Sequence, residues 1–141
     1  MTPLLSLLAT LAQPAERPSP VNPMTGVAPD SVVSVLVRSI HVDFHSVTAQ
    51  ECTIGQEAAQ AFAAAVARGR PQPSQRGSIP AGLAMFIHLN DGRSIDVIGG
   101  GAEIYGDRSR ATFIIDGWHY AFDRSSLRAM HAAMMHCSSN P

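Results

Sequence analysis

The sharpest chemical pattern in the chain is His41-x-Asp43-x-His45. On a β-strand, a period of two sets all three side chains on one face, with successive Cα positions about 7 Å apart. Imidazole and carboxylate together are ligands for zinc, copper or nickel. His88 and His119 fall on the expected outer faces of two further strands, so up to four histidines share one surface if those strands are close neighbours. The simpler account is the polar, solvent-facing side of a half-exposed sheet, because no spacing here is a specific metal signature. The metal expectation is thus His41, Asp43 and His45 holding zinc or copper, set beside a reading with no cofactor. pH sensing by the same histidines is a variant of it.

A second group, Met130, His131, Met134, Met135, His136 and Cys137, joins soft sulfur to imidazole, a donor set suited to copper(I). A methionine stripe at helical spacing is more often core filler, and Met130 and Met134 lie on the face that a helix needs to cover a sheet. Cys52 and Cys137 are an even pair, which suggests a disulfide if the chain is exported. Two reduced, buried thiols are the alternative. Nucleophilic catalysis has little support, since no serine stands in a Gly-x-Ser-x-Gly elbow. Gly99-Gly100-Gly101 lacks the strand-to-helix context of a phosphate loop. Asp91, Asp107 and Asp116 each have a local reason to exist in a turn. No catalytic or cofactor-binding residue is therefore assigned, and an enzyme is the less supported reading.

The elements that position these residues follow from hydrophobic periodicity. Leu83 to Phe122 is a succession of apolar runs broken by turn signals, a β-meander. Leu83, Met85, Ile87 and Leu89 form one face of its first strand, with Phe86 and His88 on the other. Asn90-Asp91-Gly92 and Asp116-Gly117 predict tight hairpins, the second a two-residue type I′ loop. Glu103–Tyr105 is a short strand piece, and Ala111, Phe113 and Ile115 alternate with Thr112 and Ile114. Trp118, Tyr120 and Phe122 make an aromatic stripe opposite His119. Val32–Phe44 predicts an earlier strand whose alternation changes phase, which a bulge near Arg38-Ser39 would reconcile.

Two helices complete the pattern. Thr53 as N-cap, with Gln56 as its capping-box partner, opens an alanine-rich helix. Ile54, Ala58, Phe62 and Ala65 line one face of it, and Gly69 is the expected left-handed cap before Pro71. The second helix starts at the N-cap Asp123, with Ser126 three residues on and an apolar stripe of Leu127, Met130, Met134 and Cys137. The long connection Arg70–Pro80 is a surface loop. The order β-α-β-β-β-β-α gives an α+β fold: a two-layer domain in which an antiparallel meander carries both helices on one face. Cys52 and Cys137 then meet if the helices run antiparallel.

The 141 residues suffice for one domain, and 45% hydrophobic against 15% charged residues provides a core. A net charge of −1 argues against a nucleic-acid partner. No apolar run approaches the roughly 20 residues of a spanning helix, so the chain is not expected to cross a membrane. Leu4–Ala12 is a short apolar block ending in Thr10-Leu11-Ala12, which resembles the end of a secretory signal, although no basic residue precedes it. Pro14–Asp30 carries five prolines and reads as a linker. The expected organisation is a leader over 1–30 and one domain over 31–141, secreted or periplasmic, or cytoplasmic if the first block is not a signal. The expected role is a binding module for a protein or small ligand, with metal binding as the alternative.

Overall fold

The computed structural model describes residues 20–42, 45–72, 82–99 and 112–139. Eight strands form one antiparallel sheet: β1 (Val32–Val42), β2 (Val47–Ile54), β3 (Arg70–Pro71), β4 (Leu83–Leu89), β5 (Ser94–Gly99), β6 (Thr112–Ile115), β7 (Trp118–Ala121) and β8 (Cys137–Ser139). Their spatial order is β3-β7-β6-β5-β4-β1-β2-β8. Two helices, α1 (Gln56–Ala67) and α2 (Arg124–Met134), pack together over one face. The expected α+β architecture is therefore present, with the meander β4–β7 at its centre.

Alternation explains why the sheet is half dry. Leu83, Met85, Ile87 and Leu89 are buried while Ala84, Phe86 and His88 are half-buried on the other side. The same parity puts Val35, Val37, Val97, Phe113, Ile115 and Tyr120 under the helices. From above, α1 contributes Phe62 and Val66, and α2 contributes Leu127, Met130 and Met134. Phe113 and Phe122 meet edge to face, their centroids 5.3 Å apart.

The two hairpins form as expected. Gly92 has φ +88°, and Asp116 and Gly117 both lie in the left-handed region, at 52° and 77°. That pair of positive angles is what a type I′ turn demands. Asp123 caps α2 by accepting from the Ser126 N–H at 2.7 Å.

Several expectations are corrected. The phase change in β1 sits between Val32 and Ser34, not near Arg38-Ser39, where the ladder to β4 is continuous. Val32 is consequently buried and Val33 exposed. Thr53 and Ile54 end β2 rather than opening a helix; Gly55 stands at the N-cap of α1 with no side-chain bond. Gly69 is not left-handed: it is buried against the Phe122 ring, which a Cβ there would approach to 2.7 Å. Cys137 belongs to β8, beyond the end of α2. Glu103–Tyr105 and most of Arg70–Pro80 lie outside the described residues.

The packed unit also starts earlier than residue 31. Asn22 is buried and its Nδ2 donates to the carbonyls of Val66 and Gly69, at 2.9 and 3.1 Å. Val66 lies in the last turn of α1 and Gly69 just beyond its cap, so Asn22 adds side-chain donors at that helix end. Met24, at 3% exposure, joins the core. Part of the stretch expected to be a linker is thus the C-terminal cap of α1.

Cys52 and Cys137 form a disulfide, their Cα atoms 5.4 Å apart. The bridge joins neighbouring strands, β2 and β8, and not the ends of two antiparallel helices. It holds the three-residue β8 at the sheet edge.

Candidate binding surface

Strand order decides which side chains share the helix-free face. Directly opposed residues in an antiparallel ladder point the same way. One row runs Thr53–Leu36–Phe86–Asp96 across β2, β1, β4 and β5. The next runs Glu51–Arg38–Ala84–Ile98–Ile114–His119, reaching β7. A third sets His88 between Ser34 and Ser94. Leu36, Ala84, Phe86, Ile98 and Ile114 are half-buried, and together they make an apolar stripe that neither helix covers.

Arg38 and Glu51 offset each other on this stripe, while Asp96 leaves a carboxylate at its β5 side. The Arg38 guanidinium lies over the Phe86 ring, 5.4 Å from its centroid. Its Nε donates to Glu51 at 2.8 Å, with both side chains still over 40% exposed. The ion pair is thus in solvent and adds little stability. Its effect is to hold the arginine flat against the aromatic ring.

The histidines are not gathered. His41 pairs with Thr48 near one end of β1, whereas His88 faces Ser34 near the other. Seven positions along a strand separate those registers by roughly 23 Å. His119 lies four strands from β1, roughly 19 Å across the sheet at the usual strand spacing. It occupies the expected face but is buried, at 8% exposure. The four-histidine surface is therefore not formed. Of the expected metal triplet, His41 is on β1, His45 lies exposed beyond the end of β1, and Asp43 and the His41 side chain lie outside the described residues. Among the described residues, no group of three or more His, Cys, Asp or Glu side chains could hold a metal ion.

The sulfur group disperses as well. Met130 and Met134 point into the core, Met135 is 72% exposed, and Cys137 is bridged. Gly99 has a packing role: a Cβ there would run into the Phe113 ring. Asp91 and Asp116 serve turns, as expected, and Asp107 lies outside the described residues. The Asp91 carboxylate is held below its ordinary range, first by the backbone N–H of Arg93 and then by its side chain.

A concavity lies on the opposite side of the molecule. A groove of about 440 Å³ between the helices is lined by Ala58, Ala61, Ala129, Ala132 and Ala133, with Glu57 and His136. Its walls are small and offer few directed polar groups, in contrast to the aromatic and branched stripe on the other face. No helix among the described residues is long and apolar enough to cross a membrane. Comparison with known proteins returns no matching protein family, no matching curated protein and no matching solved structure.

Sequence periodicity identifies Phe86, His88, Thr112, Ile114 and His119 as belonging to a face that helix packing leaves unexplained; the Thr112 side chain lies outside what is described. It does not identify Leu36, Arg38, Glu51, Ala84 or Ile98 as their neighbours. The signal available for Leu36, Arg38, Ala84 and Ile98 was parity within β1, β4 and β5, whereas Glu51 lies on the unexpected β2; the missing information was which strands lie side by side.

Proposed function

We propose that this is an exported binding module that engages a protein partner through the helix-free face of its sheet. The observation that carries the proposal is the stripe Leu36–Phe86–Ile98–Ile114, with Arg38 stacked on Phe86 and neutralised by Glu51. Aromatic and arginine side chains at the centre of a contact, ringed by polar groups, are what protein interfaces concentrate. Because the Arg38 charge is already paired, the matching surface is apolar at its centre, and Asp96 opposite Phe86 favours a cation at its β5 side. A disulfide suits an oxidising compartment, which supports export.

Site-specific photo-cross-linking in the producing organism tests this. A photoreactive residue at Ile98 gives a discrete protein adduct that is lost on adding Phe86→Asp. The same residue at Ala61, in the interhelical groove, gives none. Cross-linking from Ala61 but not from Ile98 would overturn the proposal.

A further inference from the structure

The β6–β7 hairpin is shorter than the strand it lies against. β6 meets β5 only at Val97↔Ile115 and Ile98↔Ile114, because Asp116-Gly117 then turns the chain back into β7. Ser94, Ile95 and Asp96 run past that turn, with β4 on one side and, among the described residues, no strand on the other. The step is set by a turn and not by the end of a described segment. Register shows which backbone groups face it. The Leu89 N–H donates to the Arg93 carbonyl at 2.9 Å, so Arg93, Ile95 and Val97 bond to β4. The alternate residues Ser94 and Asp96 therefore turn their N–H and C=O groups towards the step. It is a notch of about 210 Å³, lined by Pro23, Ile95 and Ile115 with Ser94, Asp96 and Asp116. Both carboxylates are exposed and, among the described residues, neither has an ion-pair partner. Asp96 receives a long bond, 3.4 Å, from the Ser94 hydroxyl. No arginine is among the residues that line the notch, and the chain contains no lysine.

We infer that this notch receives a lysine side chain of the protein that covers the helix-free face. The inference rests on that face being the binding surface, and it names what the partner carries at one side of it. Asp96 belongs to both features: it stands in one row with Leu36 and Phe86, and it lines the notch. A partner seated on Phe86 and Ile98 therefore reaches over the notch. An apolar group placed there would strip water from two carboxylates and give them nothing in exchange. A lysine offers what the walls need. Its aliphatic stem lies along Pro23 and Ile95, and its ammonium has three donors for the carboxylates and for the Ser94 and Asp96 carbonyls. Arginine fits less well, because its planar fork suits two oxygens of one carboxylate, whereas these acceptors come from separate residues. The notch thus selects the partner: a neutral or acidic residue at that position is rejected.

Nuclear magnetic resonance titration of the full, oxidised chain with acetyl-lysine methylamide and its norleucine counterpart tests the notch by itself. The lysine amide shifts the Ser94, Asp96 and Asp116 amides saturably and binds about fivefold or more tightly than the norleucine amide. In the double variant Asp96→Asn, Asp116→Asn that difference vanishes. Asparagine tolerates the positive φ of position 116, so the fold is kept, which circular dichroism checks. Equal binding of the two amides, tighter binding of the arginine amide, or a difference that survives in the double variant would each overturn the lysine site. The photo-cross-link from Ile98 separates this inference from the one beneath it. The double variant lowers the adduct yield about fivefold. An undiminished adduct overturns the lysine and leaves the binding face standing, whereas no adduct from the unsubstituted chain overturns the face and the lysine with it.

Discussion

Arg38 and Phe86 sit diagonally across the β1–β4 ladder, the guanidinium 5.4 Å from the ring centroid. Stacking and the Glu51 ion pair are both solvent-exposed, so they shape the surface more than they stabilise the fold. Arg38→Ala should change unfolding free energy by about 1 kcal/mol or less. Phe113→Ala, which empties a fully buried site, should cost about 3–5 kcal/mol. Urea denaturation of the two variants checks the contrast, and a large loss for Arg38→Ala would show that the pair is part of the core.

The disulfide closes a sequence separation of 85 residues. The chain-entropy description gives roughly 4–5 kcal/mol for a loop of that size. Replacing Cys52 and Cys137 together by serine should lower stability by about that amount and free β8 first. Hydrogen exchange at residues 137–139, faster than in β4, is the local readout.

Two glycines are small because rings lie against them. Gly99→Ala should destabilise by about 1–3 kcal/mol, since the new methyl meets Phe113. Adding Phe113→Leu should return part of the loss, whereas Phe122→Leu should instead help Gly69→Ala. Thermal melts of the double variants separate this from a general intolerance of alanine.

Acid sensitivity should involve the cap of α2. The Asp123 carboxylate is held below its ordinary range by the Ser126 backbone N–H, then by the Ser126 side chain, with Arg68 and Arg70 adding to it. A depressed folded-state value means that the unfolded chain binds the proton more readily. The contribution is complete above the ordinary carboxylate range and is lost as pH falls through the lowered value. Asp123→Asn keeps a capping acceptor but no titrating charge, so its melting temperature should fall less steeply with acidification than that of wild type. Parallel slopes would remove Asp123 as a contributor.

What could be read from the sequence was local. Alternation over Leu83–Leu89, the positive-φ pair Asp116-Gly117 and the Asp123 cap are each written within a few residues, and each is present in the fold. β2 was not legible, because among the described side chains of Val-Thr-Ala-Gln-Glu-Cys-Thr-Ile only the last, Ile54, is buried. Its Thr53 and the following Gln56 also imitate a capping box. β8 is Cys-Ser-Ser, with no apolar pattern at all. The role of Asn22 depends on which helix end lies beside it, and the position of Cys137 on which strand it joins. The candidate surface was half legible: Phe86 and Ile114 follow from parity, but their connection through Ile98, and to Leu36 and Arg38, requires the strand order β6-β5-β4-β1. Non-adjacent pairing of β1 with β4 leaves no short-range trace.

The proposed binding surface is the helix-free sheet face and not the interhelical groove. Nuclear magnetic resonance titration of the intact, oxidised chain with small apolar probes, isopropanol and phenol, addresses it most directly, since such probes collect where apolar side chains are concave or stacked and accessible. Saturable shifts are expected at Leu36, Arg38, Phe86, Ile98 and Ile114, abolished in Phe86→Asp. Shifts confined to Ala58, Ala61, Ala129 and Ala132, with the sheet face silent, would contradict it.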